Sequence, residues 1–268
     1  GSYRTSNTYN YEYSNGLYDY EEREFRGFAD VKVTDPNGDY KGYKFHQDDA
    51  RKGQLNGSSS KDKYNNLYDE ITNTWEYSAK PEGYYEVFLS KVEESTFDGA
   101  LTGYKIKKVL YYYDDYGNIG NLNYDGDISA TGDEKYVHNF YNYNLNKWIV
   151  DKPFCTYLTD SNNNFVTQTF YIYDNNPSFY DPPIKGDLTK LLRWLNTGSL
   201  PETNYAYDSY GNLICETDPL GRSTWYEYDS SHTFPVKVTN AKNHVNSYEY
   251  DLGTGNLLSS TDPNGFVT

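Results

Sequence analysis

The chain has 268 residues, with 24 Lys and Arg against 39 Asp and Glu, and a formal net charge of −15. That balance argues against nucleic acid and anionic membrane as partners, since both need a basic surface. A mean hydropathy of −0.92 goes with the lack of any apolar run long enough for a membrane span, and Cys155 and Cys215, the two cysteines, fit neither a disulfide framework nor a zinc site.

Tyrosine is the compositional anomaly, at 33 residues against 12 Phe and 4 Trp. It favours strands and suits a surface with one apolar and one wet side. The expected fold class is therefore all-β, an array of antiparallel β-hairpins without a thick aliphatic core. Gly1-Ser2 reads as an expression scar. With Met absent altogether, the chain reads as excised from a larger polypeptide.

In chain order, Tyr3–Tyr13 predicts a first strand. A charged turn then leads into a strand from Phe25 to Val33, and Asp35-Pro36-Asn37-Gly38 closes the unit. Tyr43–Asp49 predicts a strand whose end carries His46, Asp48 and Asp49. These could suggest acid–base or metal chemistry, but no second His or nucleophile stands nearby, so they read as a strand end with turn residues. Lys52–Lys63 (KGQLNGSSSKDK) has the composition of a flexible loop. Tyr84–Val92 and Tyr104–Tyr113 predict strands. Asp125, Asp127, Ser129 and Asp133 have part of the spacing of a calcium loop, but the glycine is misplaced and no acid closes the loop; the plainer reading is an acidic hairpin tip. Lys147–Phe154 predicts a strand leading to a Pro turn. Gly186–Leu195 (GDLTKLLRWL) predicts one short helix bracing the array, capped by Asp187, with Leu188, Leu191, Leu192 and Leu195 on one face.

The most regular stretch is 205–268. Rows open at Tyr205, Tyr226 and Tyr248 with Tyr-x-Tyr-Asp, a period of 21 and then 22 residues, which is the signature of a repeat. In the first row Tyr205 and Tyr207 share one strand face. Asp208 to Asn212 is turn chemistry, with Gly211 free to take φ > 0. Leu213–Thr217 is a second strand. Asp218, Pro219 and Gly221 fit a type I turn, and Ser223–Tyr228, with Tyr226, Tyr228 and then Asp229, begins the next row. The last row repeats this with Tyr248, Tyr250, Asp251, Asp262, Pro263 and Gly265. In the middle row Asn240-Ala241-Lys242-Asn243 replaces Asp-Pro-x-Gly, which leaves that turn's geometry open. Tyr111, Tyr113, Asp114 and Gly117 match the row opening almost position for position, and Tyr171-Ile172-Tyr173-Asp174 is another. The chain thus divides into an N-terminal segment of irregular hairpins, 3–110, and a repeat segment, 111–268, within one continuous array. A lone hairpin cannot bury its aromatic face, so stability should come from row-to-row contact.

These rows resemble the YD repeats of the Rhs family, on YAYD and YEYD, YGNL, DPLG and DPNG as they stand here. The segment YEYSNGLYDYEEREFRGF resembles a signature at the start of the Rhs shell in the B component of insecticidal Tc toxin complexes. The resemblance implies part of the wall of a hollow, spiralling shell, secreted or at a cell surface. Its partners would be the remainder of that shell and an enclosed C-terminal effector polypeptide. Teneurin-like relatives imply the alternative of cell-surface adhesion or carbohydrate binding. Relatives carry an aspartyl self-cleavage site at the C-terminal end of their repeats, but the DPNG here is followed by Phe266 without the glycine-rich continuation. His46, His138, His232 and His244 are scattered, and no nucleophile or phosphate-loop motif occurs. No catalytic residue and no cofactor is therefore assigned. Unpaired strand edges at both ends predict weak self-association.

Overall fold

The computed structural model describes residues 7–97 and 104–268. Gly1-Ser2, and the Tyr3–Ser6 part of the expected first strand, lie outside them. Eighteen strands account for the regular structure, and no helix occurs among the described residues, so none is long and apolar enough to cross a membrane. The chain forms two compact units, residues up to His138 with Thr159–Asn164, and Asn139–Leu158 with Phe165–Thr268.

The first unit holds β1 (Asn10–Asp19), β2 (Glu24–Thr34), β3 (Tyr40–Phe45), β4 (Leu55–Lys61), β5 (Leu67–Ala79), β6 (Tyr85–Thr96), β7 (Lys105–Tyr113), β8 (Ile119–Asp127) and the start of β9 (Lys135–Tyr141). Each pairs antiparallel with the next. The second unit holds most of β10 (Pro153–Asp160), then β11 (Phe165–Tyr173), β12 (Leu188–Arg193), β13 (Glu202–Tyr207), β14 (Leu213–Thr217), β15 (Ser223–Tyr228), β16 (Pro235–Thr239), β17 (Val245–Tyr250) and β18 (Leu257–Thr261). From β11 onward these too pair in chain order, antiparallel. Such meanders need only short turns between strands.

Three expectations are corrected. Gly186–Leu195 is not a helix: Leu188–Arg193 is the strand β12, with Leu191 facing Tyr171 on one side and Thr203 on the other. A ten-residue helix is marginal alone, and here it would leave the edges of β11 and β13 unpaired. The strand satisfies both, and buries Leu191 with Thr189. Asp187 does not cap a helix; its N–H donates to Asp174 Oδ1 at 3.0 Å. Lys52–Lys63 is not a flexible loop, since Leu55–Lys61 is the strand β4, paired with β3 and β5. Its small residues are what the position needs: a Cβ on Gly57 would stand 2.5 Å from the Ile71 carbonyl oxygen. Lys147–Phe154 is not one strand. Asn144 bridges Ile149 across a tight turn, Trp148 sits there at φ 52°, and Pro153 opens β10, the place in a strand where a missing N–H costs least.

Packing is thin. Among the described residues the buried hydrophobic side chains are Cys155, Tyr173, Leu191 and Cys215, with Pro183 the most enclosed. Buried Thr189 uses its hydroxyl both ways, accepting from Asn175 N–H at 2.9 Å and donating to the Ile172 carbonyl at 3.2 Å. Thr189→Val keeps the shape and removes both bonds. It is expected to cost roughly 1–3 kcal/mol in urea unfolding, an outcome that a helical segment with an exposed Thr189 would not give.

Candidate functional site: the turn clamps and the tyrosine relay

Two devices recur along the chain. The first is at the hairpin tips. In Asp208–Asn212, the Asp208 N–H donates to the Asn212 carbonyl at 2.9 Å and Gly211 N–H to the Asp208 carbonyl at 3.3 Å. One carboxylate oxygen, Asp208 Oδ1, accepts the N–H groups of Tyr210 and Asn212, both at 2.9 Å. The Asn212 side-chain amide grips the other oxygen at 3.1 Å. Gly211 takes φ 88°, a left-handed residue that lets a type I turn join two strands.

The same pair of backbone N–H bonds to one carboxylate oxygen stands at Asp35, Asp62, Asp114, Asp160, Asp218 and Asp262, and an Asn side chain grips the other oxygen at Asp62, Asp114 and Asp160. Gly or Asn holds the left-handed position in each, from Gly38 and Asn65 to Gly221 and Gly265. The open turn of the middle row is settled as well. Asn240 Oδ1 accepts from Lys242 and His244 N–H at 2.9 and 3.0 Å, and Asn243 takes φ 60°. An Asn acceptor and an Asn in the left-handed region substitute for Asp and Gly without changing the turn. Asp229 and Asp251 clamp slightly longer tips. Asp174 closes a much longer one: its Oδ2 accepts three successive N–H groups, from Ile184, Lys185 and Gly186, at 2.6 to 3.1 Å. Burial opposes the Asp174 charge, but these donors hold its carboxyl below the ordinary carboxylate range. At Asp229 the Ser231 hydroxyl, followed by the Phe234 and Thr233 N–H groups, does the same.

The second device runs between rows. Before the clamps at Asp62, Asp114, Asp174, Asp208, Asp229 and Asp251 the ladder slips by one residue, while the strands leading into Asp35, Asp218 and Asn240 keep their register. Tyr207 stands opposite Leu213, one residue out of register with the Ala206–Cys215 pair. The Leu213 carbonyl then accepts the hydroxyl of the next row's tyrosine, Tyr228, at 3.2 Å. One row earlier Tyr173 stands opposite Leu188 at a slip, and the Leu188 carbonyl accepts from Tyr207 at 3.0 Å. Tyr173 itself donates to the Pro153 carbonyl at 2.9 Å. The first unit repeats the relay with a different residue. Phe45 stands opposite Leu55 at a slip, and Trp75 Nε1 donates to the Leu55 carbonyl at 2.8 Å. Trp75 stands opposite Leu89 at the next slip, and Tyr113 donates to the Leu89 carbonyl at 2.9 Å. Burial pushes the Tyr113, Tyr173, Tyr207 and Tyr228 hydroxyls up from their ordinary range, so all remain donors at neutral pH.

The row residues read from the sequence therefore come together, each Tyr-x-Tyr-Asp supplying a relay donor and a clamp. The last row departs: Tyr250 stacks on Phe234 with centroids 4.9 Å apart. Sequence reasoning missed Trp75, because nothing around it spells the row motif; its one signal was an indole N–H in a β-rich run. It also missed the Asn after the glycine as the second grip on the carboxylate.

The other sequence candidates are engaged locally. Asp125 pairs with Lys108 at 2.6 Å. Asp127 Oδ1 accepts the Ser129 N–H and hydroxyl, and Asp133 Oδ2 accepts the Asp127 N–H. Among the described residues no group of three His, Cys, Asp or Glu side chains is placed to hold a metal ion. Asp48 is bonded by Arg51, and Asp49 by Arg26.

Clamp and relay together define a class: an antiparallel hairpin array whose rows interlock through aromatic donors. Residues 2–56 match the family model described as the insecticide toxin TcdB middle/N-terminal region. Among solved structures, TcdB2-TccC3-TEV aligns at TM-score 0.66 with 11% identity over 97% of this chain and 20% of that one. A Photorhabdus luminescens Tc holotoxin pore carrying a substituted TccC3 aligns at 0.63 with 10% identity, over 95% and 21%. TcdB2-TccC3 itself aligns at 0.60 with 11% identity, over 95% and 22%. The chain spans about a fifth of the length of these structures. No curated protein sequence matches it. The resemblance to the Rhs shell of the Tc toxin B component, read from the row and signature residues, is thus borne out in fold and in the N-terminal segment.

Two outcomes follow from the geometry. Tyr207→Phe, which leaves the Leu188 carbonyl without its donor, is expected to cost about 1 kcal/mol; a double-mutant cycle with Tyr228→Phe should show coupling if rows act as neighbours. Asp208 has its carboxyl held below the ordinary range, by the Asn212 N–H and side chain and the Tyr210 N–H, against burial. A depressed folded value means the clamp is fully present above the unfolded value, about 3.9, and is lost as pH falls through the folded one. Hydrogen-exchange protection at the Gly211 and Asn212 amides should therefore hold down to about pH 4 and decline below it.

Proposed function

We propose that the chain is a wall segment of an Rhs/YD-repeat shell that encloses a toxin or effector polypeptide. The observation that carries this reading is the relay. An aromatic donor reaches back to a carbonyl of the row before at Tyr207 and Tyr228 and, in the first unit, at Trp75 and Tyr113, which suits a wall built by repetition. The family-model match at residues 2–56 supports the same reading from sequence. The role is structural rather than catalytic: the carboxylates of Asp208, Asp218 and Asp262 are engaged by the backbone N–H groups of their own turns. The partners are the remainder of the shell and the enclosed effector, and the setting is a secreted toxin complex.

The test uses the full parent polypeptide with its effector. Limited proteolysis should leave the effector intact in the native assembly. Replacing Gly211 and Gly221 with Val, which cannot adopt φ 88° and φ 76° without strain, should open the effector to protease while the remaining rows stay folded. An effector equally exposed in the native parent would overturn the reading and favour adhesion, for which binding to a glycan array would be the positive sign.

A further inference from the structure

The segment Gln47–Gln54 between β3 and β4 makes contacts that the hairpin array does not require. Gln47 Nε2 donates to the carbonyls of Asn15 and Gly27, each at 2.9 Å. Asp49 and Asp19 both bind the guanidinium of Arg26, whose side chain is 7% exposed. Arg26 also donates to the Gln47 carbonyl at 3.2 Å, and Lys52 pairs with Glu24. This one loop thus holds the far end of the β1–β2 hairpin through hydrogen bonds and ion pairs. That hairpin end is otherwise thinly packed: Tyr18, Tyr20 and Phe25 are all at least 45% exposed.

His46 anchors the loop. Its N–H donates to the Gln54 carbonyl, and its carbonyl accepts from Gly53, both at 2.9 Å. The imidazole is 15% exposed, and its Nε2 is buried with no protein partner. Nδ1 lies 3.6 Å from Asp48 Oδ2, too far for a hydrogen bond, and that carboxylate is already held by Arg51 Nε and Nη2, each at 3.1 Å. Arg51 in turn lies over the Tyr77 ring, 5.5 Å from its centre. The charged groups about the ring are thus Asp48 and Arg51 of its own loop. The Arg26–Asp19–Asp49 cluster adjoins Gln47, the next residue.

We propose that the His46–Gln54 loop is an acid-sensitive latch: proton uptake by the His46 imidazole opens the loop and frees the end of the β1–β2 hairpin. The imidazolium would carry an N–H at Nε2 with no acceptor, in a buried position. Arg51 repels the new charge and has already taken the nearby carboxylate. Opening the loop to water is what relieves it.

The direction is consistent. Burial, then Arg51, pulls the His46 imidazole below its ordinary value, against the attraction of Asp48. The open loop therefore binds more protons than the closed one below about pH 6.5, and closure weakens as pH falls through that value towards the lower one. The carboxylates do not share this window. Asp19 is held below the ordinary carboxylate range by the Glu22 N–H, with Glu21 and Arg26 adding to it. Asp48 is held there by Arg51, against burial.

The test is hydrogen exchange of the whole chain between about pH 7.5 and about pH 5.5, corrected for intrinsic rates. The amides of His46, Gly53 and Gln54 and those of residues 25–28 are followed. In the native chain, opening should rise by up to about tenfold per pH unit below the ordinary imidazole value. In His46→Gln it should stay flat. No rise in the native chain, or the same rise in the variant, would overturn the proposal. Should the variant not fold, an NMR titration of His46 in the native chain decides instead: a midpoint below about 6.5 supports the latch, and one at or above it sinks the idea.

Discussion

A strand that slips register leaves a ladder group without its partner, and an unpaired backbone carbonyl inside a sheet is costly. This chain slips just before the clamps at Asp62, Asp114, Asp174, Asp208, Asp229 and Asp251, so the same debt recurs along its length. At Leu55, Leu89, Leu188 and Leu213 the relay answers it with an aromatic N–H or O–H from the following row. The reach required is specific: the donor must cross from one strand to the carbonyl beyond while its ring covers the face between. Phenylalanine has the ring but no donor. That is the physical sense of the tyrosines Tyr113, Tyr173, Tyr207 and Tyr228, and of Trp75 standing where a tyrosine would serve.

The residue skipped at a slip can contribute as well. Thr189 is passed over between the pairs at Ile172 and Tyr173, and its hydroxyl donates to the Ile172 carbonyl. Ser90 is passed over between the pairs at Thr74 and Trp75, and donates to the Thr74 carbonyl at 3.2 Å. Side-chain hydroxyls and the indole thus take over where backbone ladders stop. Polar closure of this kind lets a sheet with four buried hydrophobic side chains among its described residues remain specific about register, which a flat apolar face would leave free to slide.

What could be read from the sequence follows from how local each feature is. Turn chemistry is local, so the Asp-to-Gly spacing at Asp208–Gly211 and Asp218–Gly221 predicts geometry that the structure has, and Leu213–Thr217 and Ser223–Tyr228 fall on strand bounds without adjustment. Leu188–Leu195 misled because a leucine pattern at helical spacing carries no record of the two strands that claim it. Gly57 to Ser60 misled for the opposite reason: small polar residues look like a loop until the Ile71 carbonyl comes close enough to require glycine. The relay was hidden because its partners lie 15 to 24 residues apart. Only the pairing register brings Tyr228 to Leu213 or Tyr113 to Leu89.

Clamp and relay also divide the work of the repeat. In its common form the clamp is satisfied within five residues and fixes where each strand must turn, whatever its neighbours do. The relay is satisfied only across rows, so it converts a set of autonomous turns into an array with a direction: donor in the later row, acceptor in the earlier. Asn240–Asn243 shows how far the first can drift in sequence, since amide and carboxylate oxygens serve equally as acceptors there. The second tolerates less. A substitute must be aromatic, long and tipped with a donor, which leaves tyrosine and tryptophan. A row motif whose turn residues vary while its aromatic persists is what this division of labour requires.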